Sequence, residues 1–182
     1  MRNGKARIWL VFIAVLWLVA CQPEGGLRAG EAPKNAASRG KNAQTEIVGL
    51  VFRVSDGDTL TLRDARGREW RIRLHGIDSP ERDQELGRQA GAELLRLVRN
   101  KNVRVVVMDK DKFGRLVGRV HLGELDVNRE MVRLGYAWHY TAFAPDDSEL
   151  AEAQAEAKRE RRGIWGTANP LPPWEYRKRK AK

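Results

Sequence analysis

The stretch TLTLRDARGREWRIRLHGI, residues 59–77, alternates apolar and polar residues on both sides of a short turn. Trp70, Ile72 and Leu74 fall on one face of an extended strand, and Arg71, Arg73 and His75 on the other. A period of two is the signature of a half-buried strand. The DARG link is turn chemistry, so the two runs predict a hairpin. The middle of the chain is thereby committed to antiparallel β structure.

The flanking segments extend the pattern. EIVGLVFRV, from Glu46, reads as a strand before the hairpin, and KNVRVVVMD and GRLVGRVHL read as two after it. In the last, Leu116, Gly118, Val120 and Leu122 share a face opposite Arg115, Val117, Arg119 and His121. Between strands three and four, Leu86, Ala90, Leu94, Leu97 and Val98 recur at helical spacing, and Asn100 ends the run. VNREMVRLG predicts a second helix stopped by Gly135. DDSELAEAQAEAKRERRG predicts a third, acidic at its start, basic at its end and closed by Gly163. The expected fold class is α+β: a five-stranded OB-type antiparallel β-barrel with three helices. Such barrels also serve as passive nucleic-acid and sugar binders, so the fold alone names no function.

The ends of the chain are different. Arg2, Lys5 and Arg7 precede an uncharged run from Ile8 to Ala20, the layout of a secretory signal. Thirteen residues span about 20 Å as a helix, short of a bilayer core of about 30 Å. The run ends in LVAC, which resembles the lipobox of bacterial lipoproteins. The resemblance implies cleavage after Ala20, lipid on the Cys21 thiol and a membrane partner; a plain signal with an incidental cysteine is the other reading. Residues 22–45 are rich in Gly, Ala, Pro and polar residues and read as a flexible tether. The domain is expected over residues 46–166. Residues 167–182, Pro-rich and basic, read either as a solvated tail or as an arm for phosphates or a membrane surface.

Lys and Arg total 34 against 24 Asp and Glu, a formal net charge of +10. That balance suits a polyanionic partner such as nucleic acid or a membrane surface; a well-solvated basic protein is the other reading. One cysteine excludes an intramolecular disulfide, and with His75, His121 and His139 scattered it offers no zinc-ligand spacing.

VSDGDTL raises the question of whether Asp56 and Asp58 only make a turn, since Asp-Gly is a favoured turn dipeptide. An EF-hand loop beginning at Asp56 fails, because Thr61 and Gly67 stand where glycine and glutamate are needed. Two later segments add carboxylates and arginines. RLHGIDSPE carries Asp78, Ser79 and Glu81, and DKDKFGR leads into Arg115. A barrel could bring these strand ends to one rim, where such a gathering of charge calls for a cation and an anion.

DGDT, RIRLHGIDSPE, DKFGR and VNREMVRLGYAW stand in an order and spacing that resemble the staphylococcal-type thermonuclease family, and EAQAEAKRERRGIW fits its last helix. The resemblance covers roughly residues 46–166. It implies that Asp58, Asp78 and the backbone carbonyl of Ser79 hold a calcium ion, with Asp56 a carboxylate near the metal. It implies that Glu81 activates the attacking water and that Arg73 and Arg115 grip the scissile phosphate. Lys112, Phe113, Tyr140 and Phe143 fall at substrate-contacting positions. In an ungapped register, Thr141 and Phe143 stand where the best-known member has two tyrosines, with Tyr140 next door; Phe113 also replaces a tyrosine. The six residues RDQELG replace a longer loop.

The expected protein is an exported, lipid-anchored, calcium-dependent nuclease that cuts DNA and RNA and leaves 3′-phosphate ends. The alternatives are a catalytically silent OB module binding nucleic acid at the envelope and a surface adhesin using the basic tail.

Overall fold

A computed structural model describes residues 45–182. The leader, Cys21 and all of the tether but Thr45 lie outside the described residues. Among those described, no helix is long and apolar enough to cross a membrane.

The elements in chain order are β1 (Glu46–Asp56), β2 (Thr59–Asp64), β3 (Glu69–Leu74), β4 (Ile77–Asp78), α1 (Gly87–Val98), β5 (Asn102–Lys110), β6 (Leu116–Leu122), β7 (Leu125–Asp126), α2 (Val127–Arg133), β8 (Trp138–His139), α3 (Ser148–Arg159), a 3-10 turn (Gly163–Gly166) and α4 (Pro173–Lys180). The five long strands are those expected, ordered β3-β2-β1-β5-β6. Asp64 builds the β2–β3 turn by accepting from the Arg66 and Arg68 amides at 2.9 and 3.0 Å. Asp111 builds the β5–β6 turn by accepting from the Phe113 and Arg115 amides, each at 2.9 Å. Register shifts between Val51 and Arg53 and between Val54 and Asp56 bend β1, as bulges do. The bend lets one long strand serve both the β2 and the β5 pairing.

Closure departs from the antiparallel expectation. β6 returns to β3 as a parallel pair, Ile72 opposite Leu116, Arg73 opposite Val117 and Leu74 opposite Gly118. The third strand also ends earlier than alternation suggests. Gly76 turns the chain at a positive φ of 73°, and Ile77–Asp78 pairs instead with Trp138–His139. That small ribbon pins Asp78 against the segment following α2.

Val51, Leu60, Leu62, Ile72, Leu74, Val103, Val105 and Val120 fill the barrel, with Leu94 and Val98 of α1 and Met131 and Val132 of α2 packed into the same core. Each such side chain stabilises by about 1.5–3 kcal/mol on burial. Buried Asn128 ties α2 to the closing seam. Its side chain accepts from the Val120 amide at 3.0 Å and donates to the His75 and Gly118 carbonyls at 2.9 and 3.2 Å.

Three helices were expected and four form among the described residues. The fourth, α4, lies in the segment read as a tail. Pro173 opens it, Glu175 sits in its first turn, and Arg177, Lys178, Arg179 and Lys180 fill its last. Proline in the first turn needs no amide donor, and the charges follow the macrodipole.

Candidate active site

The turn between β1 and β2 presents Asp56 and Asp58, and two glycines fix what lies against it. A Cβ on Gly57 would stand 2.7 Å from both the Ser79 Oγ and the Ala90 Cβ. The turn therefore nests against Ser79 and α1 only because residue 57 has no side chain. A Cβ on Gly87 would stand 1.7 Å from the Glu81 carbonyl oxygen, so the start of α1 likewise admits the loop carrying Glu81.

This packing joins segments far apart in sequence. The Ser79 amide donates to the Asp58 carboxylate at 2.8 Å, and the Ser79 hydroxyl donates to the Tyr136 carbonyl at 3.0 Å. Thr59 sits opposite Arg73 in the β2–β3 ladder. From there the Arg73 Nε reaches the Asp58 Oδ1 at 3.2 Å and its Nη2 reaches the Asp78 Oδ1 at 3.0 Å. Asp58, Asp78 and Ser79 are all buried, Asp78 almost completely. Burial pushes the Asp78 carboxyl above the usual carboxylate range, against the opposing pull of Arg177 and Arg73.

Asp56 accepts from the Asp58 amide at 3.1 Å. Burial, and then the neighbouring Asp58 charge, raise its carboxyl to about 6. It is thus both a turn residue and a member of the acidic cluster. Among the described residues no group of three or more His, Cys, Asp and Glu side chains forms a metal cage. What Asp58 and Asp78 offer is a pair of buried hard carboxylates, both oxygen donors. That set suits a hard dication and supplies no nitrogen or sulfur for zinc.

Arg115 approaches from the β5–β6 turn. Its Nε is held by the Asp111 carboxylate at 2.7 Å, and its Nη1 lies 3.4 Å from the Thr59 hydroxyl. That hydroxyl donates to the Asp58 Oδ1 at 3.1 Å. The chain Arg115–Thr59–Asp58–Arg73–Asp78 therefore links both arginines to both aspartates. Lys112 and Phe113 stand beside it: the exposed Phe113 ring lies 5.2 Å from the Lys112 Nζ and 5.6 Å from the Arg115 guanidinium carbon.

Tyr140 and Phe143 are adjacent rings, with centroids 5.2 Å apart. Thr141 and Phe143 are exposed, while Tyr140 is half-buried. None of the three histidines takes part in the linked set. His139 is buried with its Nε2 at 2.7 Å from the Ala144 carbonyl, and burial lowers the His75 pKa.

Two residues escaped the sequence reading. Arg177 of α4 bonds the Asp78 Oδ2 through Nη2 at 2.8 Å and the Glu81 Oε1 through Nη1 at 2.9 Å. Trp174, one turn earlier, stacks on Tyr140 at 5.1 Å with the rings 14° from parallel. The proline at the start of α4 is a visible helix signal, but no local pattern tells where that helix docks. Thr59 was named only as part of DGDT, and its bridging hydroxyl follows from the strand register.

Residues 71–167 match the family described as Staphylococcal nuclease homologue. The chain is 42% identical over 136 residues to an Escherichia coli O157:H7 protein named "Uncharacterized endonuclease", covering 74% of this chain and 88% of that one. A Haemophilus influenzae protein of the same name is 35% identical over 144 residues, covering 79% of this chain and 78% of that one. "Staphylococcal-like nuclease CAN1" of Arabidopsis thaliana is 42% identical over 156 residues, covering 82% of this chain and 47% of that longer protein.

Proposed function

The chain belongs to the staphylococcal nuclease family and is a nuclease, and from that premise we propose that it is a calcium-dependent phosphodiesterase cutting DNA and RNA and leaving 3′-phosphate ends. The observation that carries this reading is the Arg73 bridge between Asp58 and Asp78, with Glu81 beside them, joined to Asp78 through Arg177. Acids and bases of opposite charge are concentrated at one end of the barrel, as phosphoryl chemistry requires.

Asp58, Asp78 and the Ser79 carbonyl would hold the ion. Calcium takes about 6 to 8 oxygens, so a site with three protein oxygens leaves positions for water and a phosphate oxygen. When bound, the ion supplies positive charge against the phosphate. Glu81 accepts the proton of the attacking water as its oxygen bonds to phosphorus, and the bond to the 5′ oxygen breaks. That oxygen leaves with a proton from solvent. Arg73 and Arg115 stabilise the charge growing on the phosphoryl oxygens, and a planar guanidinium can do so through two parallel hydrogen bonds. Lys112, Phe113, Tyr140 and Phe143 line the approach of the polyanion.

The reading extends to the leader. Residues 1–20 are removed and Cys21 carries lipid, so residues 22–45 tether the enzyme in the bacterial envelope.

Incubating the protein with plasmid DNA and with RNA, in millimolar calcium or in EGTA, tests the core of the proposal. Cleavage should require calcium and leave 3′-phosphate termini. Undiminished cleavage in EGTA would remove the metal from the mechanism, and DNA retained but uncut in calcium would favour a binding module.

A further inference from the structure

The geometry points to an intramolecular strap: helix α4 holds the site closed, and a divalent cation, helped by a nucleic-acid chain, must displace it. The inference rests on the reading of Asp58 and Asp78 as the cation's carboxylates.

Arg177 engages two of the proposed working groups at once. Its Nη2 bonds the Asp78 Oδ2 at 2.8 Å, while Arg73 holds the Asp78 Oδ1 at 3.0 Å. Both oxygens of Asp78 therefore carry a guanidinium. A dication ligated by Asp78 would have to share that carboxylate with two positive groups, and like charges at such a distance repel strongly in a water-poor site. The same Arg177 bonds Glu81 at 2.9 Å, so it also occupies the group that would accept a proton from water.

Trp174 makes a matching contact with Tyr140. The two rings lie nearly parallel at 5.1 Å, the arrangement an unpaired base adopts on an aromatic side chain. The strap thus places a guanidinium on the carboxylates and an indole on a candidate stacking face.

The fastenings suit reversible release. Trp174 meets Trp138 edge-on at 6.4 Å, Lys180 bonds Asp83 at 2.5 Å, and the Gln84 side chain donates to the Leu171 carbonyl. Only Pro173 of the helix is buried, and the Arg177 side chain is 46% exposed. A segment with few buried apolar contacts and exposed hydrogen bonds opens at low free energy. The last turn carries Arg177, Lys178, Arg179 and Lys180, four cations to which a polyanion offers alternative partners. Substrate would thereby help lift the helix that excludes it.

If the open state is about a tenth of the population, apparent calcium affinity is weakened about tenfold relative to the open site. Calorimetric titration of the full chain with calcium reads this directly. Arg177→Gln should bind calcium about tenfold more tightly than wild type. Lys178→Gln should not, because Lys178 pairs only within α4, with Glu175. Hydrogen exchange over residues 173–180 gives the independent readout. Calcium should accelerate it in wild type, and Arg177→Gln should already exchange fast in EGTA. Calcium binding that is unchanged or weaker in Arg177→Gln overturns the strap while leaving the metal reading intact. Titrations blank for both proteins would overturn the metal reading and the strap with it.

Discussion

Replacing Asp56 with asparagine should stabilise the cation-free protein at neutral pH. Burial first, and the Asp58 charge second, raise the Asp56 carboxyl from 3.8 to about 6. Between about pH 4 and 6 the folded state holds a proton that the unfolded chain has already released, and above that range it carries a charge that burial and Asp58 disfavour. Such a carboxyl favours folding in acid, and that contribution is lost as pH rises through about 6. The interval corresponds to about 3 kcal/mol at roughly 1.36 kcal/mol per pH unit, reached only above pH 7. Asparagine keeps an oxygen to accept the Asp58 amide, bonded at 3.1 Å in the native turn, and brings no charge to desolvate. Urea unfolding in EGTA at pH 8 should show a gain of about 1–3 kcal/mol, a sizeable part of a typical 5–15 kcal/mol stability. The gain should shrink between pH 6 and 4 and disappear below about pH 4. Calcium, by favouring ionised Asp56, should narrow the difference at pH 8. A gain independent of pH would refute the electrostatic account, and so would no gain at pH 8.

Glu81→Gln keeps the shape of the side chain but not its basicity, so turnover should fall by about 10²–10⁴-fold with DNA binding retained, as measured by single-turnover cleavage and a filter-binding assay. Arg115→Lys keeps the charge but loses the planar fork held by Asp111, and the same assays should show a larger loss in cleavage than in binding. Cys21→Ser should abolish labelled fatty-acid incorporation and move the protein out of the detergent phase; labelling that persists would exclude Cys21 as the acceptor.

The barrel was legible because β2, β3 and β6 carry their own alternation and β1 and β5 are apolar, strand-like runs, and the Asp64 and Asp111 turns are local devices. The third helix was readable for the same reason: its acidic start and basic end lie within Ser148–Arg159. The parallel pairing of β3 with β6 was not legible, because periodicity says which face of a strand is buried but not which distant strand lies beside it. The break after Leu74 was hidden by apolar Ile77, which continues the alternation in sequence while Gly76 turns the backbone away. Within the site, the family resemblance named Arg73, Asp58 and Asp78, and the structure brings those three together. Arg177 left no trace of its partner, since its bond to Asp78 spans 99 positions. The prolines before α4 drew attention to an extended tail when one of them is a helix's first residue.

The parallel seam has a consequence for how activity is lost. Three residue pairs close the barrel, and Arg73 is the middle one. Arg115 stands just outside the same seam, immediately before Leu116. The other pairings of the barrel, between β1 and β2, β1 and β5, β2 and β3, and β5 and β6, each run to five or six pairs. Warming should part this seam before the longer pairings and so separate the two arginines while the rest of the meander stays zipped. Activity, like a fuse, should then trip before the body melts and reset on cooling.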